Sequence, residues 1–392
     1  MHYDFDTVIE RRNTCSLKWD STIRNYKDED ILPMWVADMD FQIPPEVSQA
    51  IENRNRHGIY GYMDGNPESY GEAVADWVYK RHGWKIRNDW LVCTPGVVPA
   101  LGFAIMAFTN VGDKVLIQTP VYTPFFKVVK NNGRQLVENQ LVLKDGRYEI
   151  DFQDLEEKFK SGVKMMIFCS PHNPVGRVWT QDELKELGNL CIKYNVLIIS
   201  DDIHSDIIYK GNKHIPISTV SPELLQNTIT CIAASKTFNL AGLSTSTVIM
   251  PKEDLRAQYK NFMSNLGLHS CNILGMVATE AAYRYGEEWL DQLINYLEGN
   301  LACLMNYFSE NISKIKVIQP EGTFLVWLDC RELGMSDDEL ARFFLHTAKV
   351  RLNEGRSYGS GGEQFMRINI GCPRSILMEG LKRIGDSLKQ IK

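Results

Sequence analysis

The sequence predicts an α/β protein: a mostly parallel seven-stranded sheet with helices on both faces, followed by a smaller α+β part. Three observations lead there. The middle of the 392-residue chain alternates short β-branched runs with longer amphipathic stretches. The short runs are nearly all apolar rather than alternating, as in strands covered on both faces. The helical stretches between them imply crossover connections, which join parallel strands.

The candidate strands are Trp90–Cys93, Lys114–Gln118, Arg134–Asn139, Lys164–Cys169, Val196–Ser200, Thr228–Ala233 and Ser246–Met250. Between two of them, Thr180–Tyr194 opens with Thr-Gln-Asp-Glu, a capping box that predicts a helix start. A long helical stretch, Glu287–Asn311, follows the last strand. After it come strand-like runs at Lys316–Ile318 and Thr323–Leu328, then helices near Ser336–Ala348 and Ser375–Lys389. Residues 1–45 are too few and too irregular to fold alone, so they are expected to join 287–392 in a small domain, with 46–286 as the large one.

Composition narrows the function classes. Formal charge is −6, so no broad basic field offers itself to nucleic acid or an anionic membrane. The start, Met-His-Tyr-Asp-Phe-Asp, lacks the basic and apolar regions of a signal peptide. No apolar run reaches membrane-spanning length; the best, Val196–Ser200, is strand-sized. Nine cysteines are scattered singly with no CxxC pair, which predicts reduced thiols, a cytoplasmic location and no metal site.

Four segments carry chemistry. Cys93-Thr-Pro-Gly-Val-Val-Pro-Ala100 runs from a strand end through Gly96 into a helix, whose free first-turn amides suit a phosphate. Ser170-Pro-His-Asn-Pro-Val-Gly176 follows a strand and taken singly is a turn. Ser200-Asp-Asp-Ile-His204 places carboxylates at a strand's carboxyl end, where open α/β sheets hold ligands. Ala233-Ala-Ser-Lys-Thr-Phe-Asn-Leu-Ala-Gly242 puts Lys236 just after a buried strand, where desolvation makes an amine nucleophilic. Each alone has an ordinary structural explanation. In this order they line one sheet edge with phosphate-binding amides, an asparagine, a carboxylate and a lysine. Pyridoxal 5′-phosphate (PLP) asks for that set: a lysine to carry it, a carboxylate to keep its ring nitrogen protonated, and amides and hydroxyls for its phosphate.

With these segments the chain resembles the fold-type I PLP enzymes of the aspartate aminotransferase superfamily, and within them the cystathionine β-lyase (C–S lyase) group of the MalY/PatB type. The resemblance rests further on Arg11-Arg-Asn-Thr-Cys-Ser-Leu-Lys-Trp-Asp20, Leu32-Pro-Met-Trp-Val-Ala-Asp-Met-Asp-Phe41 and Tyr60-Gly-Tyr62. It rests also on Thr119-Pro-Val-Tyr-Thr-Pro-Phe125 and Arg367-Ile-Asn-Ile-Gly-Cys-Pro-Arg374, and it covers nearly the whole chain.

The resemblance implies a role for each matching position. Lys236 carries the cofactor and shuttles the α-proton, Asp201 pairs with the ring nitrogen, and Tyr122 stacks on the ring. Asn173 bonds the ring's phenolic oxygen, and His204 belongs to the cofactor site. Gly96, Val97, Val98 and Ser235 cradle the phosphate. Arg367 grips the substrate carboxylate with a planar fork, alongside Ala37 and Asn173. Tyr62 reaches the neighbouring active site of a homodimer. His204 and Ser244 stand where many class I aminotransferases carry tyrosine and arginine, as in the lyase group; Cys15 and Asp202 look like local variants. The implied reaction is β-elimination from cystathionine or a related S-substituted cysteine, giving a thiol (homocysteine), pyruvate and ammonia. An aminotransferase on the same fold is the alternative. Regulation through protein contact is a third class, and no segment announces a surface for it.

Overall fold

The seven apolar runs are strands of one sheet in the computed structural model, which describes residues 2–63 and 67–390. In chain order they are β1 (Leu91–Thr94), β2 (Lys114–Thr119), β3 (Gln135–Gln140), β4 (Val163–Cys169), β5 (Leu197–Asp201), β6 (Thr228–Ile232) and β7 (Ser246–Ile249). Across the sheet the order is β1-β7-β6-β5-β4-β2-β3, and only β7 runs antiparallel to its neighbours. The apolar sequences follow from burial on two sides: six of the seven β4 residues and all five of β6 are buried. One apolar cluster, with Leu101, Ile105 and Phe125, covers one face. Another, with Trp179, Leu184 and Leu187, covers the other. Each such side chain withdrawn from water contributes about 1.5–3 kcal/mol.

The helix Gln181–Lys193 begins at Thr180 with the capping box formed in both directions. The helix Glu287–Asn311 leads to a second sheet of β8 (Lys316–Ile318), β9 (Leu325–Asp329), β10 (Asn353–Glu354) and β11 (Phe365–Asn369), in the order β8-β9-β11-β10. The beginning of the chain joins this part directly: Leu32–Pro33 pairs in parallel with Val350–Arg351. No helix among the described residues is long and apolar enough to cross a membrane.

One expectation needs correcting. Seven cysteines are free thiols, but Cys93 and Cys271 form a disulfide. They lie 178 residues apart, and no spacing rule links them. The fold does: the end of β1 and the residues before the helix Ile273–Tyr285 bring their Cα atoms to 6.0 Å, within disulfide reach.

Candidate active site

Six strands of the large sheet point one way, so their carboxyl ends share an edge. There Thr94 leads to Gly96, Thr119 to Tyr122, Cys169 to Asn173 and Ile232 to Lys236, while Asp201 ends β5 itself. Cys169 pairs with Asp201, and Asp201 with Cys231, so three of these ends are locked in register. A cavity of about 190 Å³ opens over the edge. It is lined by Gly96, Val97, Val98, Tyr122, Asn173, Asp201, His204, Ser235 and Lys236, and by Ala37 from the first part of the chain. A wider cavity of about 860 Å³ shares Ala37, Tyr122 and Lys236 and adds Arg367. Tyr62 is apart from both; it stands fully exposed on the surface.

The electrostatics follow from burial. Lys236 keeps some solvent contact, yet its dense surroundings lower its amine to about 8; the Arg367 charge adds to this, while Asp38 and Asp201 oppose it. Its Nζ donates to the carbonyl oxygen of Ala37 at 2.6 Å. The Asp201 carboxyl is driven up to about 7, first by burial and further by the adjoining Asp202, although the Ile203 amide and Lys236 favour its charge. Burial lifts the Tyr122 hydroxyl to about 12, with the Asp201 charge adding, so the ring stays neutral. Burial drives His204 down to about 3, helped by Lys236 and Arg367, so this imidazole is neutral too.

Three features fit PLP. Gly96 caps the helix Val97–Phe108 at φ +137°, a conformation that disfavours side chains, and among the described residues no side chain caps the helix start; Val97 and Val98, whose first-turn amides need partners, line the cavity. Among the described residues the Asp201 carboxylate accepts only the Ile203 amide, at 3.2 Å, and a protonated ring nitrogen would relieve its buried charge. Arg367 is 2% exposed, donating from Nη1 to Asn173 Oδ1 at 3.1 Å and from Nη2 to the Trp35 carbonyl at 2.6 Å. Its Nε is buried and has no hydrogen-bond partner among the described residues.

The sequence did not point to what holds Ala37 in place. Asn239, at φ +58°, accepts from the Met39 amide and donates to the carbonyls of Met39 and Phe41. Asn369 donates to the carbonyls of Val36 and Asp38. The signal was a polar residue three past Lys236 and another two past Arg367, both in otherwise apolar company. The Arg11 to Asp20 motif works on the same segment. Arg11 binds Asp38 at 2.7 Å and Asp40 at 2.6 Å, and buried Lys18 binds Asp40 at 2.5 Å. Trp19 Nε1 donates to Asp40 at 3.0 Å.

The sequence profile described as aminotransferase class I and II matches residues 29–384. The chain belongs to that family. Within it, the cystathionine β-lyase PatB of Bacillus subtilis is 44% identical over 386 residues, 98% of this chain and all of PatB. A PLP-bound structure from Clostridium difficile 630, described as an aminotransferase, is 47% identical with a TM-score of 0.96, covering 99% of this chain and 100% of its own. Cystalysin from Treponema denticola, which contains PLP, is 39% identical with a TM-score of 0.97 and full coverage of both chains. The resemblance to MalY/PatB-type lyases thus holds across the whole family fold, and the family is PLP-dependent.

Proposed function

We propose that the protein is a PLP-dependent carbon–sulfur β-lyase, cleaving cystathionine or a related S-substituted cysteine to a thiol, pyruvate and ammonia. The observation that carries this reading is the meeting of two cavities at Lys236, one lined by Asp201 and the other by Arg367, so that a lysine, a buried carboxyl and a buried guanidinium border one connected space. When bound, PLP supplies an electron sink for charge developing at the substrate's α-carbon. Arg367 would hold the α-carboxylate with its guanidinium. Lys236 would carry the cofactor, and its free amine would take and return the α-proton, for which a pKa near 8 is suited. Asp201 holds a proton on the ring nitrogen, Asn173 meets the phenolic oxygen, and Tyr122 covers one ring face. His204 packs beside them as a neutral donor or acceptor. The amides of Val97 and Val98, with Ser235, hold the phosphate. The β-thiolate leaves into the wider cavity, past Trp35 and Tyr358. Water then completes the reaction, so that substrate and water give thiol, pyruvate and ammonia.

The aminotransferase reading is favoured by the description of the Clostridium difficile relative. Against it stand PatB's lyase activity and Ser244, which lines the phosphate end where many aminotransferases carry arginine. The deciding experiment is turnover of cystathionine with and without an α-keto acid, assaying thiol and pyruvate. Thiol release without acceptor is expected; turnover that depends wholly on the acceptor, with no thiol, would make the enzyme an aminotransferase. The reading includes a homodimer, supported by the exposed apolar run Ile59, Tyr60 and Tyr62. Seven free thiols support a cytoplasmic setting, and the Cys93–Cys271 pair argues the other way.

A further inference from the structure

Three buried ionisable side chains and the part-buried His82 lie outside both cavities in two facing pairs. Asp202 Oδ2 receives His214 Nε2 at 3.0 Å, and Asp206 Oδ1 receives His82 Nε2 at 3.1 Å. The two imidazole rings meet edge to face, 5.2 Å apart. The network ends beside the active site at two points. Asp202 follows Asp201, and Asp206 accepts from the Thr237 hydroxyl at 2.8 Å, one residue past Lys236. Trp77 Nε1 and Ser200 Oγ complete the set, donating to Asp206 and Asp202.

Asp201 and Asp202 are 3% and 2% exposed, so two carboxylates sit on consecutive buried residues. Like charges that close cannot both ionise without compensation. Asp202 also faces the thiols of Cys169 and Cys231, which bring no positive charge. Its only ionisable hydrogen-bond partner among the described residues is His214. Burial acts against the Asp206 charge, but His82, Thr237 and Arg81 hold that carboxyl below the usual range, with Tyr283 nearby. Asp206 is therefore settled by its own partners and leaves His214 to Asp202.

We propose that His214 is a positioning residue of the reaction: by binding Asp202 it offsets that carboxylate's charge and leaves Asp201 free to ionise against the cofactor's ring nitrogen. This rests on the reading of Asp201 given above. The role is electrostatic, so it differs from packing in one respect: removing the Asp202 charge makes His214 dispensable.

The test compares His214→Phe, His214→Gln, Asp202→Asn and the double variant Asp202→Asn/His214→Phe. The readouts are PLP affinity, by titrating the cofactor-free protein, and kcat and KM of the loaded enzyme. Measured below the Asp201 pKa, a one-unit rise in that pKa is about a tenfold loss of its ionised share. His214→Phe is expected to weaken PLP binding and lower kcat about tenfold with KM little changed. His214→Gln, which keeps a donor, recovers part of this, and the double variant returns to within about threefold of the native enzyme, as coupling between the two side chains requires. A silent His214→Phe, or a double variant no better than His214→Phe alone, would overturn the proposal. Should His214→Phe not fold, His214→Gln against its double with Asp202→Asn applies the same criterion. Asp201→Asn is the separate control. If it leaves PLP affinity and kcat intact, the Asp201 reading fails; if it is damaging while His214→Phe is silent, only the role of His214 fails.

Discussion

Lys236 Nζ and the Ala37 carbonyl oxygen lie 2.6 Å apart across 199 residues of sequence. The amine proposed to carry the cofactor is thus aimed by a backbone group from the first part of the chain. Asn239, three residues past the lysine, fixes that same segment, so one short turn provides both the amine and the brace for its partner.

Replacing Lys236 with alanine is expected to abolish the absorption band of lysine-bound PLP and the lyase activity, while the protein still folds. In the cofactor-free native protein, Lys236 should react with an acylating reagent with a midpoint near pH 8, because burial favours its neutral form. Peptide mapping across pH checks this; a Lys236 midpoint near 10 would contradict the electrostatic account.

Arg367 should act on substrate more than on cofactor. Arg367→Ala is expected to cost about 2–4 kcal/mol in kcat/KM, with normal PLP content, as a lost charge-assisted bidentate contact does. Arg367→Lys should recover little, because a point charge cannot bridge Asn173, the Trp35 carbonyl and a carboxylate at once. Steady-state kinetics on cystathionine decide it, and unchanged values would remove the residue from the site.

Tyr62 should complete the partner's site. Subunit hybrids of Tyr62→Phe with Lys236→Ala contain one site free of both defects, and their activity should exceed that of either mutant homodimer. Sedimentation that shows a fully active monomer would rule the arrangement out.

The Lys18–Asp40 pair is almost fully buried, at 1% and 6% side-chain exposure. Removing Lys18 leaves buried Asp40 with Arg11 and Trp19 as partners, so Lys18→Met should cost less than the roughly 3–5 kcal/mol of a fully unpaired buried charge, measured by chemical denaturation. Burial works against the Asp40 charge, but Lys18, Trp19 and Arg11 hold its carboxyl below the ordinary range. A carboxyl depressed in the folded state adds stability that is present above its unfolded pKa, about 3.9, and lost as pH falls below that. The native protein should therefore lose stability under acid more steeply than Lys18→Met. Parallel acid profiles would count against it.

Much of the fold was legible because its strands are buried on both sides: a run such as Met165-Met-Ile-Phe-Cys169 has no other comfortable environment. The residues at the strand ends were legible as chemistry because Asn173, Asp201 and Lys236 follow such runs in order. What the chain alone hid is contact between distant segments. Asn239 and Asn369 look like ordinary turn and strand residues until the Val36–Phe41 segment lies against them. Cys93 and Cys271, and likewise His82 and His214, carry no spacing signal, since their meeting depends on how helices dock on the sheet. The strand β11 that bears Arg367 was visible only as a motif, because polar Arg367 and Asn369 interrupt its apolar run.

The hydrogen bonds from Asn369 to the carbonyls of Val36 and Asp38 also bear on the order in which a ribosome delivers the chain. The Val36–Asp38 segment must wait for residue 369 to be made. The same holds for Leu32–Pro33, whose neighbours are Val350–Arg351. A nascent chain can therefore pack its central sheet first, while the wall beside Lys236 stays unfinished until residue 369 has emerged.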